Sequence, residues 1–274
     1  MNFDGRYLFL DVGGTSIKCS DGRVIPSCSG GTRERIADAL RSAVRDREGL
    51  AGIGIAIPGP FDYAEGIFRM EHKFAAVKGK PFRLLAGIPD DVPVRFMHDV
   101  NAALAGGVEM LGLEGNTALV TLGTGLGFAH TVQGRIQANE KGSPARSLYN
   151  IPCRDGILED YVSARGIRNA YARITGESNL TALQVSLRAQ AGDISAMEAF
   201  SETGALLGEY LSPLLEELDI DNLLFGGQVA RSFNLMKRPV LSAVEGLPRL
   251  RHIGTLPEGA VFEGLATLFE NDYL

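Results

Sequence analysis

The stretch Tyr7-Leu-Phe-Leu-Asp-Val-Gly-Gly-Thr-Ser-Ile-Lys-Cys19 decides the fold. Residues 7–10 are an apolar run of strand length, residues 11–15 supply the glycines of a tight turn, and residues 16–19 alternate back as a returning strand. Val24 and Ile25 extend this into a meander. The pattern recurs at the middle of the chain. Residues 117–122 read as a strand, Gly123-Thr124-Gly125 as a turn, and residues 128–132 as the return. An echo of this length points to two related subdomains and not to a short-period repeat. No low-complexity linker separates them, so the boundary is expected from the echo alone: an N-terminal α/β domain over residues 1–112 and a C-terminal one over 113–274.

Working outward, Ile36, Leu40 and Val44 fall four apart on one face of a helix expected over residues 33–48, which Gly49 can end. Ile53, Ile55 and Ile57 alternate with small residues in a strand over 51–57, and Pro58-Gly59-Pro60 stops it. Residues 94–97 read as a strand leading into Asp99, followed by a helix over 100–110. The second half is mostly helical, over 157–174, 183–191 and 194–218, before a strand at 223–225 meets Gly226-Gly227. A last helix, 261–270, is expected to pack back on the first half. Short strands alternating with helices make this an α/β chain.

Of 274 residues, 45% are hydrophobic and 22% charged, which excludes disordered, collagen-like and disulfide-dense classes. The net charge of -6 argues against a stripe that holds nucleic-acid phosphates. Cys19, Cys28 and Cys153 form no CxxC pair, so spacing encodes neither a disulfide framework nor a thiolate cage, as in a reducing compartment. Residues 1–6 lack a basic run ahead of an apolar segment, and residues 50–60 are too short and glycine-rich to cross a bilayer. A cytoplasmic protein without membrane partners is expected.

A strand-to-strand turn of small residues exposes consecutive backbone N–H groups that reach phosphate oxygens with no Cβ in the way. Two such turns facing one another would grip a polyphosphate; each alone reads as a tight hairpin. Neither fits a helix-terminus motif. GxxxxGK[ST] is absent, and residues 123–127 lack the GxGxxG spacing with a following helix.

Leu10-Asp-Val-Gly-Gly-Thr-Ser-Ile-Lys18, Ile57-Pro-Gly-Pro60, His98-Asp-Val-Asn-Ala-Ala103, Thr121-Leu-Gly-Thr-Gly-Leu-Gly127 and Leu224-Phe-Gly-Gly227 stand in order along most of the chain. Together they resemble the ROK family of repressors, open reading frames and sugar kinases. The resemblance implies the two-domain actin-like ATPase (ribonuclease H-like) fold with a cleft between domains. It also implies a glucokinase-like activity that moves the γ-phosphate of ATP onto a hexose or N-acetylhexosamine hydroxyl, and a homodimer. It assigns Asp99 as the catalytic base; as a residue following a strand, Asp99 is also a helix N-cap candidate. Asp11 resembles the carboxylate that holds Mg²⁺ through water, or is a turn-capping Asx. Gly13, Gly14, Thr15 and Lys18, with Gly123, Thr124 and Gly125, would lie on the ATP phosphates; Lys18 is equally a solvated strand residue. Gly226 and Gly227 resemble the adenosine turn, or form an ordinary strand-to-helix turn.

On the sugar side the resemblance implies Gly59, His98, Asp99 and Glu159. His98 stands where the family has Asn, and Glu159 is retained within Gly156-Ile-Leu-Glu159, where a solvated first-turn residue is the alternative. His72 and Lys73 read as an exposed polar loop where the family contacts sugar. The family's Glu-x-Gly-His stretch is missing, since residues 140–149 read Glu-Lys-Gly-Ser-Pro-Ala-Arg-Ser-Leu-Tyr. Its three cysteines fall on Asn150, Pro152 and Ile157. A lone Cys153 cannot supply four-coordinate zinc, so the family's structural zinc is expected to be absent. A catalytically silent sugar-binding member is the alternative function. The family's regulators carry a helix-turn-helix ahead of the first glycine turn, which here begins at Asp11, so a regulator lacking its DNA-binding domain is the less expected reading.

Overall fold

The protein is described by a computed structural model covering residues 5–45 and 49–273. It divides into two compact units, Met1–Gly112 with Ala138–Ala145 and Pro257–Leu274, and Leu113–Gln137 with Arg146–Leu256. The chain thus returns to the first unit twice after leaving it.

The first unit is built on a sheet of order β3-β2-β1-β4-β7. Its members are β1 (Tyr7–Val12), β2 (Ser16–Cys19), β3 (Val24–Pro26), β4 (Gly52–Ile57) and β7 (Val94–His98). A small hairpin of β5 (Phe61–Asp62) and β6 (Ile67–Phe68) interrupts it. The first three strands of the sheet form an antiparallel meander, and β4 and β7 add in parallel. A parallel strand covered on both faces reads as continuous apolar sequence, which is why residues 7–10 do not alternate. Leu8 and Leu10 enter one core with Ile53, Ile55 and Ile57, beneath Ile36 and Leu40 of α1 (Arg33–Val44). Phe9 enters the other with Ala56, Ala102, Leu265 and Phe269. Helix α1 ends at Val44, short of the expected residue 48, because Arg45 is extended; residues 46–48 lie outside the described residues. After α2 (Phe82–Ala86), strand β7 runs straight into α3 (Asp99–Leu111).

The second unit repeats the plan with sheet order β10-β9-β8-β13-β14. Strands β8 (Thr117–Leu122), β9 (Leu126–Val132) and β10 (Arg135–Ile136) form its meander. The short pair β11 (Pro152–Cys153) and β12 (Gly156–Ile157) leads into α4 (Leu158–Val162) and α5 (Ala164–Thr175). There the sequence suggested one helix. It breaks at Ser163, which is extended with φ -105° and ψ -178°, and the freed Ala164 N–H donates to the Gly123 carbonyl at 2.9 Å. Then come α6 (Ala182–Gln190), α7 (Ile194–Glu217), β13 (Asn222–Gly226), α8 (Lys237–Val244) and β14 (His252–Thr255). Neither α8 nor β14 is expected from pattern. The latter is an edge strand, half-exposed and entered through Arg249 and Arg251, so it carries no apolar signature.

The unit's three parallel strands are knotted at one end by buried polar groups. Asp221 accepts from the Asn116 N–H at 2.9 Å and pairs with Arg249 at 3.2 Å, while Asn222 Nδ2 donates to the Glu114 carbonyl at 2.8 Å. The Asn116 amide and the arginine hold the Asp221 carboxyl below the usual carboxylate range.

The final helix, α9 (Ala260–Ala266), continued by a 3-10 segment Thr267–Tyr273, belongs to the first unit and packs on α3 backbone to backbone. A Cβ on Gly106 would stand 1.8 Å from the Ala260 carbonyl oxygen, and one on Gly264 would stand 1.9 Å from that of Ala102. Only glycines permit this crossing. Among the described residues, no helix is long and apolar enough to cross a membrane.

Candidate active site

In the first unit, strand register brings separated residues to one edge. Asp11 lies beside Ala56 on β4, and Ile57 lies beside His98 on β7. Asp11, the turn at 58–60 and the His98-Asp99 pair therefore share the carboxyl ends of parallel strands, where α/β sheets bind ligands.

Asp99 is the first residue of α3, and His98 takes the N-cap position. The Asp99 Oδ1 oxygen accepts from the Val100 N–H at 2.8 Å and lies 2.9 Å from His98 Nδ1. The same Val100 N–H is shared with His98 Nδ1, which accepts it at 3.3 Å as the cap of the helix. Asp99 is about one-third exposed, with a side-chain value of 34%. Its Oδ2 accepts no hydrogen bond among the described residues, so one oxygen is anchored and the other is available.

Asp11 sits at the end of β1 directly opposite Lys18, whose Nζ reaches its Oδ2 at 3.0 Å. Burial pushes the Asp11 carboxyl up, the Lys18 charge and hydrogen bond oppose this, and the Asp99 charge adds to the rise. Lys18 is thus engaged by Asp11. The turn beyond is pinned by Gly13 N–H to Ser16 at 2.9 Å and by Ser29 Oγ to the Gly14 carbonyl at 2.5 Å, with the Thr15 carbonyl accepting from Ser27 at 3.0 Å. Lys73 lies across it. A Cβ on Gly14 would stand 2.9 Å from Lys73 Cδ and 3.4 Å from its ammonium nitrogen. Phe74, left-handed at φ 57° and buried, anchors that exposed lysine by donating its N–H to Ser29.

Around Gly59, which precedes a cis proline, the unit gathers Ser143 Oγ, the Tyr63 hydroxyl and His98 Cδ2, at 3.5, 3.6 and 3.7 Å from where its Cβ would be. The Tyr63 hydroxyl donates to the Ile57 carbonyl at 3.0 Å, and burial together with the Asp99 charge drives its acidity down, so it stays protonated. Asn101 Nδ2 donates to the Gly142 carbonyl at 3.3 Å, while its Oδ1 is buried without a partner among the described residues. Sequence reading missed Tyr63, Asn101 and Ser143. Ser143 comes from the returning segment Ala138–Ala145, and nothing local in the sequence signals that return.

In the second unit, Gly123, Thr124 and Gly125 form the β8–β9 turn, with Thr124 exposed. Gly226 and Gly227 close β13 beside it. Gly227 is left-handed at φ 89°, and its Cβ would stand 2.3 Å from the Leu122 carbonyl oxygen, so the two glycine turns of this unit abut through Leu122. Glu159, on the first turn of α4, accepts the Leu126 N–H on Oε2 at 2.8 Å. Cys153 is buried and free, and among the described residues no group of three or more His, Cys, Asp or Glu is arranged to hold a metal ion.

The chain matches the ROK family model over residues 10–248. It is 26% identical over 311 aligned positions to a glucokinase of Halalkalibacterium halodurans, covering 97% of this chain and 91% of that protein. Among solved structures it resembles a ROK hexokinase from Thermus thermophilus, with a TM-score of 0.76, 23% identity, and 97% and 99% of the two chains covered. It also resembles a ROK family glucokinase from Streptomyces griseus solved with glucose and AMPPNP, with a TM-score of 0.75, 21% identity, and 96% and 98% covered. Two α/β units on one repeated sheet plan, each with a glycine turn after its first strand, accord with these matches: the chain belongs to the ROK family and has its actin-like ATPase fold.

Proposed function

We propose that the protein is an ATP-dependent sugar kinase that transfers the γ-phosphate of ATP to a hydroxyl of a hexose or N-acetylhexosamine. The observation that carries this reading is the Asp99 carboxylate. One oxygen is held by the Val100 N–H beside His98, the other is uncommitted, and Asp11 and the Gly13–Gly14 turn share its sheet edge. The kinases among its relatives support the same reading.

The sugar hydroxyl attacks the γ-phosphorus as its proton passes to Asp99 Oδ2. The new O–P bond forms while the bond from the γ-phosphorus to the bridging oxygen breaks, and ADP leaves with that electron pair. Anchoring of Oδ1 keeps the accepting oxygen oriented without spending its capacity. Gly59, His98 and Glu159 are the proposed sugar contacts, with Tyr63 and Ser143 beside Gly59. Backbone N–H groups of Gly14 and Thr15, and of Thr124 and Gly125, receive the phosphates, while the Gly13 and Gly123 N–H groups close their own turns, and Gly226-Gly227 receives the adenosine. Lys73 supplies the cation over the first turn, since Lys18 is neutralised by Asp11.

A Mg²⁺ ion suits the donor set here: Asp11 offers hard oxygens, and burial and Asp99 together raise its carboxyl, a strain that a cation relieves. Bound with the nucleotide, the metal would neutralise charge on the transferring phosphoryl group. An ADP-coupled assay with a panel of hexoses and N-acetylhexosamines and added Mg²⁺ tests the proposal. Sugar-dependent ADP release is expected; sugar binding without any ADP release would overturn it in favour of a silent binding protein.

A further inference from the structure

Glu159 is the one sugar-side residue proposed for the second unit, yet its hydrogen bond goes to the other ligand's turn. Oε2 accepts the Leu126 N–H at 2.8 Å, at the residue that closes the Gly123–Gly125 turn. The same oxygen stands 2.6 Å from where a Cβ on Gly125 would be, so glycine there is what lets the carboxylate reach. The opposite end of the turn is gripped as well, by Ala164 N–H to the Gly123 carbonyl at 2.9 Å. Glu159 is itself fixed, its own N–H donating to the Tyr149 carbonyl at 3.1 Å and that of Leu158 to Ile151 at 2.8 Å. The segment from Leu158 to Ala164 therefore clamps the turn from both sides. Glu159 Oε1 carries no hydrogen bond among the described residues.

We infer that Glu159 is a positioning residue for the second glycine turn, holding it with Oε2 while presenting Oε1 to the sugar, so that one carboxylate serves both subsites. The identity of the two ligands rests on the kinase reading; the clamp does not. A sugar hydroxyl that donates to Oε1 restricts the carboxylate and stiffens the turn. Nucleotide then meets a preorganised loop and binds more tightly.

Three variants separate the roles. Glu159→Gln keeps a carbonyl oxygen for the Leu126 N–H but alters the group facing the sugar. Glu159→Ala removes both, and Gly125→Ala displaces an unaltered carboxylate. Hydrogen exchange of the Leu126 amide without ligands reads the clamp directly. It should accelerate about 10-fold or more in Glu159→Ala and Gly125→Ala and change less than about 3-fold in Glu159→Gln. Calorimetry with a non-hydrolysable ATP analogue should show roughly 10-fold weaker binding in Glu159→Ala and near wild-type binding in Glu159→Gln. Glucose or a turned-over sugar should tighten the analogue several-fold in the wild type and not in Glu159→Ala. Unchanged Leu126 exchange in Glu159→Ala would overturn the clamp. Faster exchange with unaltered analogue affinity would overturn the link to nucleotide. If the wild type bound no nucleotide, the kinase reading and that link would both fall, while the exchange data would still decide the clamp.

Discussion

Replacing Gly264 by alanine puts one methyl group where α9 crosses α3. Its carbon would lie 1.9 Å from the Ala102 carbonyl oxygen and 2.8 Å from the Gly106 nitrogen. Side-chain carbons do not approach other atoms within 3.0 Å, so the helices must part by about 1.1 Å. Both obstructing atoms belong to the main chain of a helix and have no rotamer to escape into. Parting the helices also opens the cluster of Phe9, Ala56, Ala102, Leu265 and Phe269 that their contact seals. Overpacking typically costs about 1–3 kcal/mol, and a backbone clash belongs at the upper end. For a unit of this size, about 3 kcal/mol lowers the melting temperature by roughly 10 °C. Thermal unfolding by circular dichroism checks this, with Gly30→Ala as the control, since a Cβ there meets nothing within 4 Å. Asp99 heads α3, so turnover should fall as well, even well below the melting point. A Gly264→Ala protein melting within about 1 °C of wild type would refute the crossing geometry.

Asp99→Asn keeps the shape and removes the proton acceptor, so turnover should fall by about 10²- to 10⁴-fold with the melting temperature little changed; steady-state kinetics on the variant decide it. Lys73→Ala should raise the KM for ATP by roughly 5- to 20-fold and leave that for sugar nearly unaltered, because one cation over the first turn is lost. The Asp221 carboxyl is held low in the folded state, so its stabilisation is present above the ordinary carboxylate range and is lost as pH falls through the folded value. Melting curves from about pH 6 down to pH 3 should therefore decline more steeply for wild type than for Asp221→Asn. Asp11 has the opposite sign. Its raised carboxyl contributes stability at low pH that is lost as pH rises through the folded value, and Lys18→Met should enlarge that loss, visible as a lower melting temperature at neutral pH than at mildly acidic pH.

Much of the fold is readable along the chain because its signals are local. Apolar strand runs at 7–10 and 117–122, the glycine turns after them and the four-residue spacing of Ile36, Leu40 and Val44 all act over a few residues, and the echo between halves reflects a sheet plan used twice. The ordered motifs around Asp11, Asp99 and Gly123 likewise needed no coordinates. What sequence alone did not carry is what depends on distant backbone meeting. The helix expected over 157–174 breaks at Ser163, where an N–H turns to Gly123 some forty residues earlier, and helix propensity has no access to that partner. Strand β14 exists only because β13 offers it an edge. Lys18 reads equally as a solvated strand residue or a phosphate ligand, and only strand register shows that it stands opposite Asp11. Tyr63, Asn101 and Ser143 are ordinary residues in their own segments. They become a group only when Ala138–Ala145 returns to the first unit, and Glu159 becomes a clamp only when α4 folds against the turn. Local chemistry is written in neighbouring residues, whereas which oxygen of Asp99 or of Glu159 is held is set by the backbone amides that folding brings within 3 Å.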